Sequence, residues 1–200
     1  DWLKAREACK QLHPGYEFKF WDDRAAEEFI IAEHRDFYET WKSYRYPIQR
    51  ADSLRYLILY SYGGIYMDMD LVCLRPLEPF RRFDFIAPAA HPIGVSNGFI
   101  MISPRHPFMK QVVDNLSLFN RFFISAYPTV MFSTGCTYLS AQHLVSPHRN
   151  QLKVLSGLNN KLSGNSTTPL FHHLGASSWH SSDAPVFNAL GRFLKSVPIF

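Results

Sequence analysis

The chain has 200 residues, 46% of them hydrophobic, 19% charged and a formal net charge of +4, which suits one globular domain with a sizeable core. No run of Lys and Arg is long enough to form a nucleic-acid face, and neither an apolar span that would cross a bilayer nor a signal peptide is expected within these residues. The mildly basic balance suits phosphate-bearing substrates or an anionic membrane surface equally.

The chain opens at Asp1 directly in a helical pattern, so residues 1–200 are read as one catalytic-sized domain cut from a longer chain. A helix is expected over 3–12, followed by a turn at His13-Pro14-Gly15 and an alternating strand over 16–21. Asp22-Asp23 then stands where an N-cap belongs, ahead of a helix over 24–34 and a second helical stretch over 37–44 that stops before Pro47. Cys9, Cys73 and Cys136 have no metal-type spacing and allow at most one disulfide.

From Ala51 to Tyr62 the residues Leu54, Leu57, Ile58 and Tyr62 recur at helical spacing, and Gly63-Gly64 supplies the positive-φ freedom that ends a helix. A strand over 65–72 follows, with period two: Tyr66, Asp68 and Asp70 share one face, while Ile65, Met67, Met69 and Leu71 share a buried one. Two carboxylates that close repel, and a hard divalent cation removes the conflict because Mg²⁺ and Mn²⁺ prefer oxygen ligands. An Asp-x-Asp triplet alone is more often a solvated edge strand. The strongly apolar setting is what favours a site here.

Beyond residues 74–80, which break regular structure, strands are expected over 84–88 and 96–104, with a helix over 108–119. A helix over 134–142, strands over 152–155 and 169–173, and a last helix over 184–194 complete the pattern, with a mobile surface loop over 157–168. Strands alternating with helices argue an α/β domain with a mostly parallel central sheet flanked by helices, whose ligands bind at the carboxyl ends of strands, where Asp68 and Asp70 fall.

The run from Arg50 to Asp70, Arg-Ala-Asp-Ser-Leu-Arg-Tyr-Leu-Ile-Leu-Tyr-Ser-Tyr-Gly-Gly-Ile-Tyr-Met-Asp-Met-Asp, resembles the signature of family 32 glycosyltransferases, the group with a DXD-containing sugar-binding region. Within it the chain looks most like the fungal mannosyltransferases that act on inositol phosphorylceramide. The resemblance runs from about Trp2 to Leu194; Cys136 stands where those relatives usually carry proline, and their first strand would lie outside this segment. It implies a GT-A-like fold and a metal-dependent, retaining transfer of mannose from GDP-mannose to inositol phosphorylceramide, on the luminal side of a Golgi membrane. Two sequons, at Asn115 and Asn165, permit that location.

The resemblance also assigns roles. Asp52 and Arg55, otherwise an intrahelical ion pair, would hold hydroxyls of the transferred sugar, with Asn97, otherwise a turn residue, in the same pocket. Tyr66, Asp68, Gly64, Gly98, Ser177 and Trp179 would face the nucleotide sugar. Asp68 and Asp70 would hold Mn²⁺ or Mg²⁺, with His180 and His173 as sources of a further contact. Acceptor and donor remain open to alternatives: a protein-linked glycan, a UDP-sugar, or a carbohydrate-binding module that keeps the fold without catalysis. A two-metal phosphotransferase would want more acidic ligands than Glu78 and Asp84 supply.

Overall fold

The computed structural model describes residues 2–90, 94–156, 165–175, 182–187 and 189. The chain starts with α1 (Trp2–Leu12), which buries Ala5 and Cys9. Residues 16–21 then run without a strand. No ladder partner lies alongside among the described residues, and Phe20 is exposed, so the alternation there has nothing to pair with. α2 (Asp23–Glu33) begins as expected, with the Asp22 carboxylate accepting from the Ala25 N–H at 2.8 Å. A 3₁₀ turn, Arg35–Phe37, leads into α3 (Tyr38–Ser43).

α4 (Pro47–Tyr62) starts four residues before the apolar pattern does, because Pro47 occupies the first turn, where a missing N–H costs nothing. The Gln49 side chain accepts from the Tyr46 N–H at 3.0 Å and closes that end. Gly63 ends the helix at φ +64°, and a Cβ there would meet the Pro104 nitrogen at 2.5 Å, so only glycine fits.

Next come β1 (Gly64–Met67), β2 (Leu71–Cys73), β3 (Phe85–Pro88) and β4 (Phe99–Ile102). Then α5 (Pro107–Phe119), α6 (Ala126–Ser133) and α7 (Cys136–Val145) precede β5 (Lys153–Leu155), β6 (Asn165–Thr167) and β7 (Phe171–Leu174). Four strands form one sheet in the order β1-β4-β3-β5, and three form a smaller one in the order β2-β7-β6.

The α/β class stands, but the sheet is mixed rather than mostly parallel: β4 pairs antiparallel with both β1 and β3, and β3 with β5 is the parallel pair. Strands β1, β3 and β5 therefore point one way and β4 runs against them. The ten residues between β3 and β4 are too few for a crossover, which needs about a dozen or more, whereas α5 to α7 supply one between β4 and β5. The expected strand over 65–72 is likewise two strands in two sheets. It breaks at Asp68, whose carbonyl accepts from the Leu71 N–H at 3.1 Å to close a turn. Met69 at the tip is exposed rather than buried. Within the expected loop over 157–168, residues 165–167 form β6 and 157–164 lie outside the described residues. α6 has no forerunner in the pattern, since its apolar residues are not segregated to one side.

Both faces of the larger sheet are covered, and the period-two alternation sorts its side chains. Phe85, Ala87, Ile100 and Ile102 join Ile30, Tyr56, Leu57, Phe108 and Leu139 under the helices. Ile86, Phe99 and Met101 join Leu71, Phe171 and Cys9 on the other side, between the sheets and α1. A Cys9–Cys73 disulfide ties α1 to β2. Among the described residues no helix is long and apolar enough to cross a membrane.

Candidate active site

The reversal of β4 creates the site. Asp68 follows the carboxyl end of β1, Asn97 and Gly98 precede the amino end of β4, and antiparallel pairing brings these to one edge, with the Asp68 N–H donating to the Gly98 carbonyl at 2.8 Å. Behind that edge lies α4. Asp52, Arg55 and Tyr56 are three and four residues apart and so share one helix face.

These residues form one hydrogen-bonded network. Arg55 Nη2 donates to Asp52 Oδ1 at 2.7 Å, and Nη1 to Asp68 Oδ1 at 3.1 Å and to the Asn97 carbonyl at 2.8 Å. The guanidinium lies 4.4 Å from the Tyr66 ring centroid, and the Tyr66 hydroxyl donates to Asp68 Oδ1 at 3.0 Å. Asn97 Nδ2 donates to Asp52 Oδ1 and to the Tyr56 hydroxyl, each at 3.1 Å. From the α6–α7 junction, the Thr134 hydroxyl donates to Asp52 Oδ2 at 3.1 Å, and the Cys136 thiol to Asn97 Oδ1 at 2.9 Å.

The acids differ in what they can still do. Burial pushes Asp52 up to about 6, against the Arg55 charge that lowers it; both of its oxygens are engaged and its side chain is 5% exposed. Burial also raises Asp68, opposed by Arg55 and the Tyr66 hydroxyl, yet its side chain is 37% exposed. Its Oδ1 carries the internal bonds. Its Oδ2 lies against Gly98, where a Cβ would stand 2.6 Å away, so glycine makes room for the carboxylate, and among the described residues nothing hydrogen-bonds that oxygen. Burial raises the Cys136 thiol to about 11, which keeps it a neutral donor to Asn97. Arg55 Nε is buried with no partner.

Asp70 sits at the end of the turn, and its carbonyl accepts from the Leu174 N–H at 2.9 Å, which ties it to β7. His173 Nε2 lies 3.5 Å from Asp70 Oδ2. Because His173 Nδ1 accepts from the Gly175 N–H at 3.0 Å, the ring proton belongs on Nε2, facing the Asp70 carboxylate. In this arrangement His173 stands beside Asp70 with Nε2 directed at its carboxylate. Among the described residues no group of three or more His, Cys, Asp or Glu could by itself hold a metal ion.

The two aspartates present hard oxygen donors, and that set fits Mg²⁺ or Mn²⁺ completed by phosphate and water. The structure thus brings Asp52, Arg55, Tyr66, Asp68, Asn97 and Gly98 together, with Asp70 and His173 alongside. Gly64 is not part of this group; it stands at the opposite end of β1 from Asp68, roughly 13 Å along the strand. Ser177, Trp179 and His180 lie outside the described residues. Sequence reasoning missed Tyr56 and the part Thr134 and Cys136 play. Tyr56, one turn from Asp52, was within reach of helical spacing, whereas nothing local marks Thr134, 82 residues from Asp52.

Comparison with known proteins places these observations in a family. The family described as "Glycosyltransferase sugar-binding region containing DXD motif" matches residues 1–87. Inositol phosphoceramide mannosyltransferase 1 of Schizosaccharomyces pombe is 39% identical, the alignment covering 100% of this chain and 63% of that protein. Mannosyl phosphorylinositol ceramide synthase SUR1 of Saccharomyces cerevisiae is 36% identical, over 98% of this chain and 52% of that protein. The chain thus spans between half and two thirds of the length of these relatives. In three dimensions it resembles the solved PaToxG glycosyltransferase, at a TM-score of 0.50 and 16% identity, over 74% of this chain and 63% of that one. That likeness concerns the fold, which is GT-A-like.

Proposed function

The chain belongs to the glycosyltransferases with a DXD-containing sugar-binding region, and from that premise we propose that it moves mannose from GDP-mannose to inositol phosphorylceramide with retention of configuration. The observation that carries the reading is the division of labour between Asp68 and the buried group behind it: one carboxylate oxygen is anchored by Arg55 and Tyr66, the other has no hydrogen-bond partner among the described residues, and the side chain is partly exposed. The names of the similar fungal proteins, a mannosyltransferase and a synthase of inositol-containing phosphoceramides, support the choice of sugar and acceptor.

In this mechanism Asp68 and Asp70 would hold a divalent cation, Mn²⁺ or Mg²⁺, which would supply positive charge for the departing diphosphate. Arg55 holds Asp68 in place. Asp52 fixes Arg55, Asn97 and Thr134 relative to one another. With both oxygens so engaged it is poorly suited to act as the nucleophile of a double displacement, which favours attack from the face that the diphosphate leaves. Asn97 and Tyr66 border the space in front of Asp68 and orient the sugar. His173 keeps the Asp70 carboxylate pointed. Ser177, Trp179 and His180 are assigned to the diphosphate by resemblance alone. A luminal Golgi setting accords with the Cys9–Cys73 disulfide, a bond that persists in oxidising compartments.

Calorimetric binding of GDP, UDP and GDP-mannose with and without Mn²⁺ tests this, with Asp70→Ala as the control. The reading expects Mn²⁺-dependent binding of GDP over UDP that the variant loses, and transfer of mannose to inositol phosphorylceramide. Preference for UDP would replace the donor, and a folded protein that binds neither nucleotide with metal would end the transferase reading.

A further inference from the structure

A second feature lies one turn of α4 away from Asp52. A cleft of about 230 Å³ is lined by Arg45, Gln49, Asn120, Arg121, Phe122 and Thr129, among others. It shares its floor with the active-site network: Gln49 Nε2 donates to the Ser133 hydroxyl at 2.6 Å, and the next residue, Thr134, donates to Asp52. The cleft is therefore linked to Asp52 through buried hydrogen bonds.

Two properties of its rim are unusual. Arg45 and Arg121 are both exposed, and among the described residues neither has a carboxylate within ion-pair distance. Arg45 instead lies 4.8 Å from the ring centroid of Phe122. Beside these cations, the segment around the α5–α6 connection exposes large apolar side chains: Phe122 is 55% exposed, Ile124 87%, and Leu118 and Phe132 are exposed as well. Ile124 is a β-branched residue at φ +58°, a backbone region such residues rarely adopt. The base of the loop is pinned nevertheless. Thr129 Oγ1 accepts from the Phe123 N–H at 2.9 Å and donates to the Ser125 carbonyl at 2.6 Å, and Asp183 accepts from the Tyr127 N–H at 2.9 Å. A fixed loop that holds apolar side chains in water, rimmed by unpaired arginines, matches the chemistry of an anionic bilayer interface, where aromatic and aliphatic groups enter the headgroup layer and cations meet lipid phosphates.

We propose that this edge is the membrane-facing surface of the protein, with the phosphate of an anionic lipid headgroup seated at Arg45 and Arg121 while Phe122 and Ile124 enter the bilayer interface. Naming that headgroup as the acceptor rests on the proposed function; the membrane contact does not. It explains how a transferase could reach a substrate whose tails stay in the membrane: the headgroup is held beside the α4 turn that precedes Asp52.

Flotation with vesicles tests the proposal, using phosphatidylcholine alone and phosphatidylcholine mixed with phosphatidylinositol. Binding is expected to the mixed vesicles, weaker as salt is raised. Arg45→Gln and Arg121→Gln should each weaken it about fivefold, and Phe122→Ser with Ile124→Ser should abolish it. Asp70→Ala should bind vesicles like the parent, so a failed transferase reading and a failed membrane reading give different results. Retained Mn²⁺-dependent nucleotide binding by the double arginine variant would show that its fold and site are intact. The proposal is overturned by equal binding to both vesicle types, by unchanged binding of the arginine variants, or by full displacement from vesicles by free inositol phosphate at the same concentration as the lipid, which would make the cleft a small-molecule site.

Discussion

Charge is handled in opposite ways along the 24 residues from Arg45 to Asp68. At the inner end Asp52, Arg55 and Asp68 form a chain in which every charge meets its counter-charge within 3.1 Å and the first two side chains are nearly inaccessible. At the outer end Arg45 and its neighbour across the cleft, Arg121, face water with no carboxylate partner among the described residues. A charge withdrawn from water must be matched inside the protein or it costs several kcal/mol, whereas a charge left in water needs no partner to be stable. The buried set is therefore locked to the fold, and the exposed set is available for something outside it.

The largest expected effect attacks the buried end. Arg55→Met leaves Asp52 without its cation and should cost about 3–5 kcal/mol in urea unfolding; a loss below about 1 kcal/mol would show that the contrast is not one of desolvation. Cys9→Ser with Cys73→Ser opens a link spanning 64 residues and should cost about 2–4 kcal/mol. A shift of the Asp70 turn in that variant, read by loss of metal-dependent nucleotide binding beyond what instability explains, would show that part of the site is held covalently as well as by charge.

A buried neutral base gives a third probe. His106 caps α5 by accepting from the Phe108 N–H at 3.1 Å, and burial lowers its pKa below the ordinary histidine value. Its contribution is complete above about pH 6.5, the unfolded value, and is lost as pH falls through the folded one, because the unfolded state binds the proton first. His106→Asn keeps a cap but cannot titrate, so the fall in stability between neutral and mildly acidic pH should be shallower than in the parent. Cys136→Ala removes a neutral hydrogen bond to Asn97 and should cost roughly 0.5–1.5 kcal/mol. Smallest of all, Arg45→Gln and Arg121→Gln should stay within about 0.5 kcal/mol of the parent in stability, whatever they do to vesicle binding. A larger loss would mean that those arginines are structural after all.

Most of the elements were legible in the chain because their signals are local. The Asp22 cap, the Gly63 stop and the apolar runs that became β3, β4 and β5 each depend on a few neighbouring residues. The errors share a cause. Residues 16–21 alternate like a strand but find no partner among the described residues, and residues 65–72 read as one strand although its halves hydrogen-bond to different sheets. Alternation states which way side chains point; it does not state what the backbone will pair with. Of the site, the Asp52–Arg55 pair follows from helical spacing and the two aspartates are plain in the motif, while the part played by Thr134 depends on contacts across 82 residues.

By itself, then, the sequence determined most of the helices, the two aspartates of the motif and the resemblance to a family, since these rest on short-range spacing and residue chemistry. Tertiary structure decided which of those groups meet. The short β3–β4 connection forces β4 to reverse, and that reversal delivers Asn97 and Gly98 to the edge where β1 ends at Asp68. Folding around α4 then separates carboxylates of identical chemistry, sealing Asp52 inside a complete set of partners and leaving Asp68 partly exposed. Burial and partner geometry, which no stretch of sequence specifies alone, set that difference.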